Sequence, residues 1–211
     1  MAISVVQTAG VFTAGTVSFS SPVTNGNLVL VCYETFPTPG IITAVDDTHG
    51  GIWQSVSGTD NSINGDIGLS IWYNKNVSGA WTGVNITGTG NQYAGCLIEI
   101  AGADPTNPID FGATTAANGQ PVTPSFVISN AGDLLTSFNI NEGGGVTGID
   151  SGWTKTGPDG FTISYFLPGA PGTFQATYAP VQNFNFVSSG VAVKPPTGVS
   201  TKVKASMNLV F

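Results

Sequence analysis

The 211-residue sequence predicts an all-β protein, an antiparallel β-sandwich of the jelly-roll type with little or no helix. Three observations support this prediction. The chain has 21 Val and 15 Ile against 8 Leu, and β-branched residues favour strands over helices. It also has 29 Gly and 13 Pro, which are typical of frequent turns. Finally, its apolar runs are short and are separated by turn signals at about 8 to 12 residues, as in sandwiches.

The strand candidates occur twice in the same order. A turn at 24–27 precedes an apolar run that starts at Leu28, and a similar turn at 130–133 precedes one that starts at Leu134. The further pairs in chain order are 47–53 with 150–153, 69–73 with 161–165, the turns 77–80 with 169–172, and the closing runs 94–100 with 187–193. This order predicts two pseudo-repeated strand sets, at about 15–103 and 119–195.

The two strand sets are expected to form one domain. The connector 104–124 is rich in Pro, Gly, Asn and Thr, as a linker would be. However, five strands close poorly on their own, whereas about ten can form two stacked sheets with a shared core. We therefore predict a single sandwich over residues 1–196, followed by a C-terminal extension or arm at 197–211.

The two cysteines lie in apolar strand candidates. Alternation places the Cys96 side chain on the apolar face of its strand. Two buried free thiols are the expectation, and a disulfide is the alternative, because pairing cannot be read from sequence. Alignment of the two strand sets places Cys32 opposite Phe138 and Cys96 opposite Val191, which favours a packing role for both.

The charges exclude some partners. The chain has 12 acidic residues and 5 lysines, and it has no arginine to read phosphates or guanine edges, so we expect no nucleic-acid partner. No apolar run approaches the roughly 18 residues of a membrane span, and residues 1–7 do not resemble a secretory signal. Lys194, Lys202 and Lys204 lie in the acid-free last eighteen residues, which predicts either a solvated end or an arm for an acidic neighbour.

Catalytic residue sets are missing from the sequence. His49 is the sole histidine and no Gly-x-Ser-x-Gly motif occurs, so His49 is interpreted as a turn residue. The glutamates are Glu34, Glu99 and Glu142, and no row of acids lies on one strand as a glycoside hydrolase would need. Glu34 and Glu99 are near strand ends, where a solvated carboxylate is expected. The sequence therefore predicts a protein that is not an enzyme.

Calcium is a weak alternative to the expectation of no cofactor. Asp46, Asp47, Asp60 and Asp66 supply hard oxygen ligands in neighbouring loops. They lack the regular spacing of a calcium-binding loop. Three Cys and His residues in total are too few for a structural zinc site.

Aromatic side chains form a candidate glycan-binding face. Trp72, Tyr73 and Trp81 could stack on a sugar ring, because an aromatic ring offers a flat apolar surface. The alternative is that they fill the core, which is the expectation for Trp53 and Trp153.

Several motifs resemble a known family. They are 26–28 (Gly-Asn-Leu), 47–53 with its final Trp, 72–73 (Trp-Tyr) with 76–79, and 99–104 with 108–110. Over residues 15–195 the chain resembles the jelly-roll, concanavalin-like β-sandwich domain that recurs in bacteriophage virion proteins and bacterial surface proteins. Ile52 departs from the pattern, because the family usually has a polar residue before this Trp. The resemblance implies a β-sandwich fold and a place in a virion or on a bacterial surface. It implies no catalysed reaction.

This setting leads to two functional expectations. The first is a structural virion protein, a bacteriophage capsid-decoration (cement) or tail-associated protein that forms a homo-oligomer and contacts other virion proteins such as a capsid or tail protein. Its arm would add a strand to a neighbour's open edge, through the residues Lys202, Val203, Lys204, Leu209 and Phe211. The alternative is an extracellular or cell-surface carbohydrate-binding or adhesin module that binds a cell-surface glycan through an exposed aromatic face.

Overall fold

Antiparallel β-strands make up the regular structure of this chain, and its computed structural model contains no helix among the residues that it describes. These are residues 2–11, 15–63, 65–142, 145–157, 161–180, 182 and 184–196. The strands are β1 Ser4–Val11, β2 Thr16–Ser18, β3 Leu28–Thr35, β4 Ile42–Asp46, β5 Trp53–Ser55, β6 Asn61–Ile63, β7 Ile67–Asn74, β8 Gly83–Gly88, β9 Gln92–Ala101, β10 Ile109–Gly119, β11 Phe126–Ile128, β12 Leu134–Asn141, β13 Val146–Ile149, β14 Thr154–Thr156, β15 Phe161–Phe166, β16 Gly172–Phe174, β17 Tyr178–Pro180 and β18 Phe184–Val193. The all-β, antiparallel sandwich predicted from the sequence is confirmed. The predicted arm at 197–211 lies outside the described residues.

Two large sheets have the same strand order. The first runs β1-β9-β3-β7-β5, with β6 also paired to β7, and the second runs β10-β18-β12-β15-β14. Smaller sheets accompany each: β2-β8-β4 in the first half of the chain, and the pairs β11-β16 and β13-β17 in the second. Position by position, each strand of the second large sheet therefore has a counterpart in the first.

The correspondence extends to irregularities in the pairing. The register of β1 against β9 shifts between Val5 and Gln7, and that of β10 against β18 shifts between Ile109 and Phe111. Each shift leaves one extra residue on the edge strand, as in a β-bulge. Counterpart residues can therefore be assigned from the pairing itself.

The pairing corrects one sequence-based alignment. Cys32 pairs with Cys96, and Phe138, the counterpart of Cys32, pairs with Ser189. The counterpart of Cys96 is therefore Ser189, and the predicted Val191 was wrong by two residues. A shift of two residues leaves every side chain on the same face of a strand, so apolar alternation could not detect it.

The two large sheets lie face to face. Alternate residues of β3, such as Leu30 and Cys32, share one apolar cluster with Phe138 and Val187 of the second sheet. We call this cluster the central core. The central core covers the inner faces of β3 and β12, and their outer faces are also covered. Both strands are therefore buried at every residue.

The small sheets cover the outer faces of the large ones. Val31 of β3 packs in a separate cluster with Val17 and Val84 of β2 and β8. In the second half, Leu135 of β12 packs with Phe126 of β11. The result is four layers of β-sheet, because each large sheet is buried on both faces. The two outer layers were not predicted from the sequence.

An approximate two-fold relation links the halves. The Oγ1 atoms of Thr8 on β1 and Thr156 on β14 lie 3.2 Å apart. On the opposite side, Thr114 Oγ1 on β10 donates to the carbonyl of Gly58, after β5, at 3.0 Å. β10 is the counterpart of β1, and β14 is the counterpart of β5. The first strand of each half therefore contacts the β5 or β14 region of the other half, so the same kind of contact is made twice, as in an isologous interface.

Candidate functional site

The predicted aromatic face is not formed as one surface. Trp81 is only 3% exposed, and its ring lies 6.5 Å from that of Phe19 and 6.2 Å from that of Trp53. It precedes β8 and fills the space between the first large sheet and β2-β8-β4. Trp81 is therefore part of the core, contrary to the glycan-face prediction.

Trp72 and Tyr73 are half-buried and separated by the strand on which they lie. They are consecutive residues of β7, so they point to opposite faces. Trp72 packs toward the cluster under the small sheet, and Tyr73 packs against the central core. Glycan binding by these two residues stays a prediction, and it would have to use them on different faces.

Asp47 organises the loop between β4 and β5. Its carboxylate is 1% exposed. Oδ1 accepts from the backbone N–H groups of His49 at 2.9 Å and Gly51 at 3.0 Å. Oδ2 accepts from Trp53 Nε1 at 3.3 Å and Asn74 Nδ2 at 3.2 Å. His49 thus lies in a turn, and the lone pairs of Asp47 are committed to protein donors.

The predicted calcium ligands are not gathered into one site. Asp46 Oδ1 accepts from the Thr48 N–H at 2.8 Å, within its own turn. Asp60 and Asp66 flank β6. In the part of the chain that the structure describes, no group of three or more His, Cys, Asp or Glu residues is arranged to hold a metal ion. Among the described residues, the four predicted carboxylates are therefore not brought together as one ligand set.

Glu99 is fully buried, whereas the sequence analysis expected a solvated carboxylate. It accepts three hydrogen bonds, from Gln7 Nε2 at 2.6 Å, Asn27 Nδ2 at 2.6 Å and the Thr24 N–H at 2.8 Å. These donors come from β1 and from the turn before β3. The carboxylate therefore joins an edge strand to a turn, and it is a structural group.

Glu34 is also fully buried, with no hydrogen-bond partner for either oxygen. It lies on the same face of β3 as Cys32, toward the central core. Desolvation holds the pKa of Glu34 well above its usual value. The expectation of a solvated carboxylate fails here too, because the second large sheet covers this end of β3.

Cys32 and Cys96 are buried free thiols, as predicted. They are directly paired across β3 and β9. Burial raises the pKa of Cys96 well above its usual value, and the neighbouring Cys32 and Glu34 raise it further. A raised pKa keeps the Cys96 sulfur in the weakly nucleophilic thiol form. Both cysteines pack in the central core.

A cluster of charged residues lies where the two strand sets are joined. Lys194 Nζ, after β18, is 3.9 Å from Asp110 Oδ1, on the bulge of β10. Asp133, in the turn before β12, is buried beside Asp110. Burial first, and then the Asp110 charge, raise the pKa of Asp133 to about 7, while Lys194 opposes this shift.

The pKa of Asp133 predicts a pH-dependent stability. Folded Asp133 binds its proton at a higher pH than the unfolded chain, whose ordinary value is 3.8. The free energy of unfolding should therefore fall as the pH rises from about 4 to about 7. Asp133→Asn should remove the part of this fall that Asp133 contributes, and the pH profile should become shallower between about pH 4 and 7. Thermal melts across this range test it, with Asp60→Asn at an exposed site as the control. An unchanged pH profile in Asp133→Asn would contradict the assignment.

The second half has a buried polar layer that was not predicted from the sequence. Asn139 Nδ2 donates to Ser188 Oγ at 2.7 Å, and Ser164 Oγ and Tyr178 Oη are hydrogen-bonded at 2.7 Å. All four residues are buried between β12-β15-β18 and the β13-β17 pair. Burial raises the pKa of Tyr178 to about 12. Alternation of small polar and apolar residues on β12 and β15 was the available signal, and it is normally taken to indicate a solvated face.

Large apolar side chains are exposed on several loops and edges. Ile52 is 76% exposed and Val127 is 62% exposed. Ile52 is held in place on both sides, because its neighbours Gly51 and Trp53 each donate to Asp47. A side chain on Gly51 would clash with the Asp47 carboxylate, so this tight loop requires glycine there. The loop therefore presents an apolar side chain from a fixed backbone.

Comparison of the chain with protein-family models, curated proteins and solved structures finds no match. None of the described segments forms a helix long and apolar enough to cross a membrane.

Proposed function

We propose that this protein is a structural component of a bacteriophage virion, a capsid-decoration or tail-associated protein that acts through contacts with copies of itself and with other virion proteins. The motifs at 26–28, 47–53, 72–73 with 76–79, and 99–104 with 108–110 support this proposal, since they resemble a domain of bacteriophage virion proteins. The observation that carries the contact role is Ile52, exposed on a loop that is fixed by Asp47.

A fixed apolar side chain is suited to adhesion. Burying Ile52 in a contact would remove apolar surface from water, and the loop would lose little conformational freedom because Asp47 already orders it. Four stacked β-layers with both large sheets buried give a rigid body on which to present such residues. On a particle with many copies, individually weak contacts would add up through multivalency.

Self-association of the full chain tests this proposal. Ile52→Asp should weaken it at least tenfold in Kd, because a charge would have to be desolvated in the contact. Sedimentation velocity over a concentration series measures the effect. Ser55→Asp adds the same charge at a nearby exposed position of β5 and should leave association unchanged. A chain that stays monomeric at every concentration would contradict the proposal.

A glycan array separates this proposal from the carbohydrate-binding alternative. Binding of the full chain to a glycan that is lost in Trp72→Ala would favour an adhesin module. Trp72 is the appropriate variant, because Trp81 is buried and its replacement would disturb the core.

A further inference from the structure

A lysine and two aspartates meet at the start of the edge strand β10. Lys194 Nζ lies 3.9 Å from Asp110 Oδ1, and these two side chains are only 23% and 21% exposed. Asp133 is buried beside Asp110, and neither of its carboxylate oxygens has a hydrogen-bond donor among the described residues. This group is separate from the Ile52 loop, and the proposed function does not use it.

The backbone fixes both members of the ion pair. Asp110 is the extra residue of the bulge in β10, opposite β18. Bulges are often found beside active sites, where they redirect a side chain. The Lys194 N–H donates to the Pro108 carbonyl at 2.9 Å, and the Lys194 carbonyl accepts from the Asp104 N–H at 2.9 Å. Only the flexible side chain of Lys194 therefore has to move to bring its amine to the Asp110 carboxyl carbon.

The first half of the chain lacks all three groups. The residues that the strand pairing places at the equivalent positions have neither an amine nor a carboxylate, and they are Val6, Ala101 and Asn27. The first half nevertheless forms the same sheet order with the same bulge, so this part of the fold does not require the three charged groups. A buried carboxylate without a donor is costly. Its presence beside a lysine and a second carboxylate therefore indicates a chemical role.

We propose that the Lys194 amine and the Asp110 carboxylate react to form an isopeptide bond within the chain, with Asp133 as the catalytic acid. The Lys194 ammonium first transfers a proton to Asp110, which leaves a neutral amine and a neutral carboxylic acid. Partial burial favours this neutral pair, because burial disfavours charged forms. The Nζ lone pair then attacks Asp110 Cγ, and the electron pair of the C=O bond moves onto oxygen. The product of this step is a tetrahedral adduct.

Asp133 moves the protons that the adduct has to exchange. It protonates the oxygen on which negative charge develops, takes a proton from the nitrogen, and passes that proton to the departing hydroxyl. The Asp110 C–O bond breaks, water leaves, and the remaining hydroxyl returns its proton to Asp133. One amide and one water molecule are formed, and Asp133 ends protonated, as it began. Burial first, and then the Asp110 charge, raise the pKa of Asp133 to about 7, which keeps this proton available near neutral pH.

Asp104 also lies near Lys194, but its carboxylate is committed to its own turn. Asp104 Oδ1 accepts from the Thr106 N–H at 2.8 Å and from the Asn107 N–H at 3.0 Å. These backbone hydrogen bonds hold the pKa of Asp104 below its usual value. An ionised carboxylate resists nucleophilic attack at its carbon, so Asp104 should stay unmodified and provides a matched control.

Mass spectrometry of the full chain, purified folded and then denatured, tests the bond. The parent chain should be lighter than its sequence by one water molecule, and a chymotryptic digest should contain a branched peptide that joins Asp110 to Lys194. Lys194→Arg keeps the positive charge but has no nucleophilic amine, so both signals should disappear. The fraction of joined chain, followed over time after cell-free synthesis, gives the rate. Asp133→Asn should lower this rate at least about tenfold, whereas Asp104→Asn should leave it unchanged.

The branched peptide of the parent chain decides the proposal. A parent chain with its full unreacted mass and no branched peptide would overturn it. Water loss that persists in Lys194→Arg would also overturn it, because the loss would then come from another site, such as an aspartate that cyclises onto the next backbone amide. An Asp133→Asn chain that reacts as fast as the parent would overturn the role of Asp133. Thermal melts show whether each variant is folded. None of these results depends on the proposed virion function, so the two proposals can fail separately.

Discussion

Glu99→Ala is expected to lower the free energy of unfolding by about 3–5 kcal/mol, because it removes the acceptor of three donors in a fully buried site. The amides of Gln7 and Asn27 and the Thr24 N–H would be left without a partner. In a protein of this size such a loss lowers Tm by roughly 10 °C.

Chemical denaturation and thermal melts measure this effect. Glu99→Gln is the matched control, since it preserves the shape and one carbonyl acceptor, and it should cost clearly less. The second half provides a natural comparison: the counterpart of Glu99 is Ala192, which packs in an aromatic cluster beside Phe111. A Glu99→Ala variant within about 0.5 kcal/mol of the parent, which is the usual range for surface substitutions, would show that the three donors find other partners.

Glu34→Gln is expected to stabilise the protein at alkaline pH by more than about 1 kcal/mol, since an unpaired buried carboxylate is costly to ionise and a pKa difference of one pH unit corresponds to about 1.4 kcal/mol. The pKa of Glu34 is higher in the folded protein than in the unfolded chain. The folded state therefore holds the proton to a higher pH, and stability declines as the pH rises above the ordinary value of 4.5. The substitution removes the part of this decline that comes from Glu34, whereas the contribution of Asp133 below about pH 7 remains.

Unfolding curves at pH 5 and pH 9 distinguish this result from a general change in packing. The gain from Glu34→Gln should be larger at pH 9 than at pH 5. Glu142→Gln, at an exposed position, makes the same chemical change and should leave the difference between the two pH values unchanged. A gain of the same size at both pH values would contradict the role of ionisation.

Glu34 and Glu99 show that the burial of a side chain could not be predicted from the sequence. Both lie near strand ends, and both were expected to be solvated. The period of a strand tells which side chains share a face, but it does not tell what covers that face. The Glu34 face is covered by the second large sheet, and Glu99 is covered by a turn and an edge strand.

For the aromatic residues too, the sequence predicted which face of a strand a side chain lies on but not whether that face is buried. The alternation of Trp72 and Tyr73 on opposite faces follows from the sequence, and the structure agrees. The burial of Trp81 depends on β2-β8-β4 folding over the first large sheet. Nothing in the local sequence around Trp81 distinguishes a ring under a sheet from a ring in solvent.

By itself, the sequence determined the all-β class and the repeated order of strand candidates, because strand propensity, turn residues and apolar alternation are local properties. Tertiary structure alone decided the four layers, the register that pairs Phe138 with Ser189, and which carboxylates are buried. The reason is that these features depend on contacts between residues far apart in the chain, and a strand whose pairing slips by two residues has the same local pattern as one in the correct register.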